Sequence, residues 1–250
     1  MTVARVSSII DGMNLPFKKV FFAALLAGLG FGAVFAQSSE TIITANEYFK
    51  SVSEEYGKIK DYQANANILI DKEEMKAKIT YLQPDKVRFD FSKPEEQVIV
   101  FNGETLTIYL PGSAAVLTQN ANAEDSDSRG NAANLATSEG LSLMRRYYTV
   151  SWETSQEAVP LDEDKATGEV SEEKVVRLVL WRRTTSEAFR YIKLSINPNT
   201  KLIRRVEAVT PSDITYKIDF SDYEINQGLT VQRFSYDIPS AANSYDNFMF

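Results

Sequence analysis

Histidine and cysteine are both absent from the 250 residues, so the chain's reactive groups are limited to carboxylates, lysine, arginine, tyrosine and hydroxyls. This removes thiol nucleophiles, Ser-His-Asp triads, zinc fingers and iron–sulfur clusters. Carboxylates remain available. Asp90 and Asp219 could serve as a hydrolytic pair if the fold set them about 5–10 Å apart, although no recognisable motif surrounds either. Asp162-Glu163-Asp164 could hold Ca²⁺, but the spacing matches no EF-hand loop and a solvated acidic loop is the simpler reading. Three basic pairs, Arg145-Arg146, Arg182-Arg183 and Arg204-Arg205, stand in a chain with 27 Lys+Arg against 34 Asp+Glu. They could meet anionic lipid or an acidic partner, with a solvated face as the plainer alternative. A net charge of −7 argues against nucleic-acid binding. No metal and no cofactor are expected.

The elements that would position these groups are mostly strands. Residues 40–57 carry Ile42, Ala45, Phe49, Val52 and Tyr56 at helical spacing, with Ser38 or Ser39 as the cap and Gly57 as the stop. The period then changes to two. Tyr62, Ala64, Ala66, Ile68 and Ile70 alternate with polar residues, and a return strand covers 75–82. Val87, Phe89 and Phe91 share one face, with Arg88 and Asp90 on the other. Gln97–Phe101 ends at Asn102-Gly103, a hairpin signal, and Leu106, Ile108 and Leu110 follow. Residues 113–140 break the pattern and read as a mobile insertion loop, with a short helix over 135–146. Strands are expected at 147–152, 174–183, 187–196, 202–209, 214–220 and 231–238. The total is about 10–11 strands and two helices, a mainly β, α+β chain with a largely antiparallel sheet. A sheet this long tends to curl or close.

The first 36 residues differ from the rest. Lys18-Lys19, an apolar stretch from Val20 to Gly32, and Ala33-Val34-Phe35-Ala36 make the three parts of a signal peptide cleaved after Ala36. A kept membrane anchor is the alternative, at the short limit of a bilayer span. Residues 37–250 would then be one exported domain, located in the periplasm, expected to be soluble and monomeric, and holding its fold without disulfides.

The order of these elements resembles one family, the periplasmic outer-membrane lipoprotein carriers of the LolA type. The likeness is carried by the amphipathic helix, then Asp61-Tyr62-Gln63-Ala64, then Ile79-Thr80-Tyr81-Leu82-Gln83-Pro84-Asp85-Lys86-Val87-Arg88-Phe89. It continues through Pro94 to Gly103, Leu106-Thr107-Ile108-Tyr109, and Phe234-Ser235-Tyr236-Asp237-Ile238-Pro239-Ser240. The resemblance implies a strongly curved, half-open antiparallel half-barrel with helices covering its concave apolar face. It implies acylated lipoproteins as cargo, an inner-membrane lipoprotein-releasing transporter as donor and an outer-membrane acceptor. In many members a basic residue before the Pro latches the helical lid; here that position is Gln83, so closure would be controlled differently.

On this reading no catalysis is needed. The lipid-binding cavity would be lined by Phe49, Val52, Val87, Phe89, Phe91, Ile108, Ile218 and Phe220, with Gln83, Leu141 and Met144 as lid or latch candidates. The expected function is a carrier that binds the acyl chains of lipoproteins and shuttles them from the inner to the outer membrane. The alternative is a lipoprotein-sensing regulatory module that signals through a protein partner. At any single position ordinary strand core is the plainer account of the same alternating residues, since periodicity does not separate core from cavity wall.

Overall fold

The computed structural model describes residues 42–120, 137–164 and 166–246. The expected signal peptide, Leu135 and most of the expected 113–140 loop lie outside the described residues. Within them the elements are α1 (Ala45–Gly57), β1 (Asp61–Ile70), β2 (Glu73–Leu82), β3 (Lys86–Lys93), β4 (Glu95–Phe101), β5 (Thr105–Leu110) and β6 (Ala115–Asn120). There follow α2 (Ser138–Tyr147), β7 (Tyr148–Trp152), β8 (Val159–Pro160), β9 (Lys174–Arg182), β10 (Tyr191–Ile196), β11 (Ile203–Val209), β12 (Thr215–Ile225) and β13 (Asn243–Asp246).

The strands form one sheet in the order β13-β6-β5-β4-β3-β2-β1-β12-β11-β10-β9-β7, with β8 beside β9. Every pairing is antiparallel except β13 with β6. Among the described residues β7 and β13 do not pair with each other, so the sheet is open. Register shifts interrupt β1/β12, β2/β3, β3/β4 and β10/β11, and such bulges bend strands and increase their twist.

The alternation sends one face of nearly every strand into a single apolar cluster with the helices. Tyr62, Ala64, Ala66 and Ile68 from β1 meet Ala77, Ile79 and Tyr81 from β2, Val87 and Phe91 from β3, and Leu178, Leu194, Val206 and Phe220 from the other arm. We call this the inner face. Phe49 and Val52 of α1, both 0% exposed, and Leu141 and Met144 of α2 complete it.

The described residues hold 13 strands rather than the expected 10–11, and three further expectations are corrected. The first concerns α1, which begins later than its apolar period suggests. Thr44 is the cap, its hydroxyl accepting from the Glu47 N–H while the Glu47 carboxylate accepts from the Thr44 N–H. This capping box leaves Ile42 outside the helix and exposed. The second concerns residues 115–120, which form strand β6 rather than loop, paired along β5 from Ala115–Leu110 to Asn120–Thr105.

The third concerns residues 231–238, which are not a strand. Val231–Phe234 is a 3₁₀ turn, and the segment crosses the outer face of the sheet as a strap. Arg88 holds it: one guanidinium nitrogen donates to the carbonyls of Arg233 (3.1 Å) and Ser235 (3.0 Å), while the remaining N–H groups bind Asp90. Carbonyls used this way cannot join a ladder. Phe234 is buried beneath, Tyr236 packs on Tyr109, and the strap ends as β13. Its start is tied to β1, where the buried Asp61 carboxylate accepts from the N–H groups of Gln227 (2.7 Å) and Gly228 (3.1 Å). Gly228 has φ +75°, the left-handed conformation glycine adopts at no steric cost.

Asp61→Ala leaves two backbone donors short of their acceptor and is expected to cost about 2–3 kcal/mol, read from the urea midpoint. Arg88→Gln should release the strap and make the chain after residue 230 cleavable by limited proteolysis under conditions where the parent is resistant.

Candidate functional site: an apolar face half covered by two helices

The inner face has a closed part and an open part, and the helices decide which is which. α1 lies beside α2 and against β7, where the Tyr48 ring meets Trp152 at 5.4 Å between centroids. Its last turn is fastened by Tyr56, whose hydroxyl accepts from the Ile203 N–H at 3.0 Å, while the Tyr223 hydroxyl donates to the Ile203 carbonyl at 2.9 Å. Tyr62 stacks between Tyr81 (5.2 Å) and Tyr223 (5.7 Å). Burial holds Tyr62 and Tyr223 in their neutral form, pushing both hydroxyls well above the ordinary tyrosine range. Tyr56 is raised by burial too, offset in part by the hydrogen bond from Ile203.

The first turns of α1 are held differently. Phe49 and Val52 are sealed by apolar contact, and Lys201 sits 4.2 Å from the Tyr48 ring centroid. Burial pushes the Tyr48 hydroxyl up to about 12. Among the described residues that hydroxyl has no hydrogen-bond partner. The helix is therefore pinned by tyrosine hydrogen bonds at its C-terminal end, and near its N-terminal end mainly by apolar contact, with two longer hydrogen bonds from Arg145 Nε to Asn46 Oδ1 (3.2 Å) and from the Ile43 N–H to Gln156 Oε1 (3.4 Å).

The inner face of β3–β5 is the open part. Phe89, Ile99, Phe101, Leu106, Ile108 and Leu110 lie in register on one face and are all half-buried. Of the residues expected to line a cavity, Phe49, Val52, Val87, Phe91 and Phe220 are buried in the closed cluster. Phe89 and Ile218 pack against it, and Ile108 extends beyond it. All eight therefore belong to one apolar surface. Leu141 and Met144 are buried under α2, next to α1. Gln83 is exposed at the β2–β3 turn, where its N–H donates to the Lys60 carbonyl; among the described residues its side chain makes no hydrogen bond.

The polar expectations resolve on the outer face. Asp90 and Asp219 lie on β3 and β12, with β2 and β1 between them, which is about 14 Å at ordinary strand spacing. Each is bound to its own arginine, Arg88 and Arg205, so the two are not a hydrolytic pair. Asp162 pairs with Arg205, whose hydrogen bond lowers its carboxyl below the usual range. Asp164 instead accepts from the backbone N–H groups of Ala166 and Thr167 in a turn. Among the described residues no three acidic side chains gather to hold a metal. The Arg204-Arg205 pair is consumed structurally, bonding to Glu173, Asp162 and Asp219. Tyr48, Trp152 and the Tyr56–Tyr62–Tyr223 group were not legible as site residues. Their spacing looked like core, and only tertiary contact shows that they fasten the helix.

Residues 70–170 match the family model described as outer membrane lipoprotein carrier protein LolA. The match covers 101 of the 250 residues, and the family is described as one of carriers. The matched span runs from the end of β1 past β8 and includes the open face of β3–β5. A search of curated proteins finds no match. Among solved structures, an uncharacterized conserved protein from Thermus thermophilus has a similar fold (TM-score 0.52, 15% identity, 81% of this chain and 98% of that one). A LolA superfamily protein from Nitrosomonas europaea aligns at TM-score 0.40 and 12% identity, over 78% of this chain and 99% of that one. MucB in the Pseudomonas aeruginosa MucA/MucB complex aligns at TM-score 0.44 and 11% identity, over 80% of this chain and 62% of that one. At these identities the likeness is one of fold.

The buried tyrosines of this sheet-and-helix cluster give a pH signature. Their folded pKa values are raised above the unfolded value of about 10, so the stability they confer is intact below that pH and is lost as pH rises through the folded values. In an alkaline titration followed by tyrosinate absorbance, this group should ionise late and together with loss of the helical circular dichroism. Uniform ionisation of all 12 tyrosines near pH 10 with the fold intact would contradict the sealed cluster.

Proposed function

We propose that this chain is a periplasmic carrier that takes up the acyl chains of lipoproteins on the inner face of its sheet, beneath α1, and shuttles them from the inner to the outer membrane. The observation that carries this reading is the row Phe89, Ile99, Phe101, Leu106, Ile108 and Leu110, half-buried and continuous with the helix-covered cluster. A hydrocarbon chain laid on this row would reach the buried face by displacing α1. The row is not ordinary closed core, because it has no apolar partner layer of its own among the described residues.

Curling of the sheet supports the same reading. Twelve strands at about 4.8 Å spacing would spread about 50 Å if flat, whereas α1 is about 20 Å long. One cluster nevertheless includes residues from β1–β4 and β9–β12, and four bulges supply bends. We infer a curved half-barrel with the helices on its concave side.

The energetics fit transfer rather than capture. Burial is worth roughly 0.8 kcal/mol per methylene, so a chain of about sixteen carbons gains about 12 kcal/mol. Re-exposing the Tyr48 ring, Phe49 and Val52 at about 1.5–3 kcal/mol each takes back about 4–9 kcal/mol. The difference corresponds to binding between millimolar and micromolar, which a downstream acceptor can reverse. The orphaned Tyr48 hydroxyl tilts the balance further, since lifting the N-terminal half of α1 returns it to solvent and relieves about 1–3 kcal/mol. The pinned end at Tyr56 would act as the hinge. Export rests on the first 36 residues. Among the described residues no helix is long and apolar enough to cross a membrane.

A fluorescent fatty-acyl probe should bind the purified chain, and acylated peptide should co-purify from envelope extract. Phe89→Asp or Ile108→Asp places a charge on the open row and should reduce probe affinity at least tenfold with the fold retained. Tyr48→Phe, which removes the orphaned hydroxyl, should stabilise the closed helix and weaken uptake by severalfold. A chain that takes up neither probe nor acylated peptide is not a carrier.

A further inference from the structure

Two of the basic pairs meet at one corner of the molecule. α2 ends with Arg145-Arg146 and runs directly into β7. Tyr148, the first residue of β7, pairs in register with Arg182 at the end of β9, and the Arg183 N–H donates to the Tyr147 carbonyl at 2.9 Å. The Arg146 guanidinium lies 5.9 Å from the Tyr147 ring centroid. Arg146, Arg182 and Arg183 are thereby gathered around Tyr147-Tyr148, although the two pairs are far apart in sequence.

These arginines, like Arg233 but unlike the other five arginines of the sheet, have no counterion among the described residues. Arg88, Arg177, Arg190, Arg204 and Arg205 all pair with carboxylates. Within the same residues Arg146, Arg182 and Arg183 make no ion pair, and Arg145 donates only to the Asn46 side chain. The nearby acids are otherwise engaged: Glu187 accepts from the Thr184 hydroxyl and Asp213 binds Arg190. Complementing the helix C-terminus accounts for Arg145 and Arg146. It does not account for Arg182 or Arg183, which lie at the end of a strand.

On the face of β9 opposite Arg182, and on the same side as Arg183 by strand alternation, Trp181 is 51% exposed, its ring 5.3 Å from Tyr191 on the neighbouring strand. An exposed tryptophan–tyrosine pair next to uncompensated guanidinium groups matches the chemistry of a bilayer interface. Amphipathic rings settle at headgroup level there, and planar guanidinium forks bind phosphate in two-point fashion. An acidic protein surface would also use arginines and aromatic rings, and binding to vesicles that lack protein separates the two.

We propose that this corner docks the chain on an anionic phospholipid surface through Arg146, Arg182 and Arg183, with Trp181 entering the headgroup layer. The inference does not depend on acyl-chain uptake, since none of these residues lies on the open apolar row.

The test is co-sedimentation of the full chain with phosphatidylcholine vesicles, pure or containing about one third phosphatidylglycerol, at low salt and at about tenfold higher salt. Binding should require phosphatidylglycerol and weaken with salt. The variant R146Q/R182Q/R183Q should bind at least tenfold more weakly, with unchanged circular dichroism and unchanged acyl-probe uptake. Vesicles should shift the tryptophan emission to the blue in the parent but not in Trp181→Phe. Phe89→Asp, deficient in probe uptake, should still sediment with vesicles. Equal binding by the arginine variant, or binding to pure phosphatidylcholine alone, overturns the proposal. So does retention on immobilised polyglutamate without vesicle binding, which would assign the corner to an acidic protein.

Discussion

The constraint behind this structure is that one apolar face of a long open sheet has to be covered without a second sheet. Two helices of 13 and 10 residues do that work, and they are too short to cover all of it. The result is a division of one continuous surface. Under α1 and α2 it is sealed to the point that Phe49, Val52 and Leu141 have no exposure; along β3–β5 it is left half open. A second sheet would have given an ordinary sandwich with no reason to part. A small helix held largely by apolar contact gives a cover whose contacts are of the exchangeable kind.

The outer face is built on the opposite principle. Its covers are the loop 153–173 over β9–β11 and the strap over β3–β5, both secured by arginines. Arg205 bonds to Asp162 and Asp219, Arg177 to the carbonyls of Pro160 and Leu161, and Arg88 to the strap. Such bonds are directional, and breaking one strands a partly buried charge. Apolar contacts are non-directional and can be exchanged for others of similar area. The molecule thus places exchangeable contacts on the face proposed to receive cargo and fixed ones on the face that must stay shut.

Much of this was legible in the residues. The period-two runs in 62–70, 87–91 and 175–181 gave the strands and correctly set Arg88 against Val87 and Phe89, because alternation on a pleated strand is a local rule. The eight apolar positions expected to line a cavity do share one surface. Local capping chemistry was also present but overlooked: Thr44 and Glu47 spell a capping box that outranks the apolar period in placing the helix start. Residues 115–120 misled through composition, since Ala and Asn are depleted in strands and are held there by neighbours on both sides. Residues 231–238 misled through pattern, as their carbonyls are claimed by an arginine about 145 positions away in the chain. Which side of the apolar surface the helices cover, and where α1 is pinned, depends on tertiary contacts that no local period encodes.

The one parallel pairing, β13 alongside β6, carries a consequence for life at high concentration. A protein that keeps apolar surface within reach of solvent is at risk of joining edge to edge into filaments, because a bare margin offers a row of free amide and carbonyl groups. Here the strap brings the chain's own end around to occupy the β6 margin with a short segment whose four residues are all polar or exposed. What is left outermost is too brief and too hydrated to template another copy. The tail therefore serves as a selvedge, finishing the fabric where it would otherwise unravel into its neighbours.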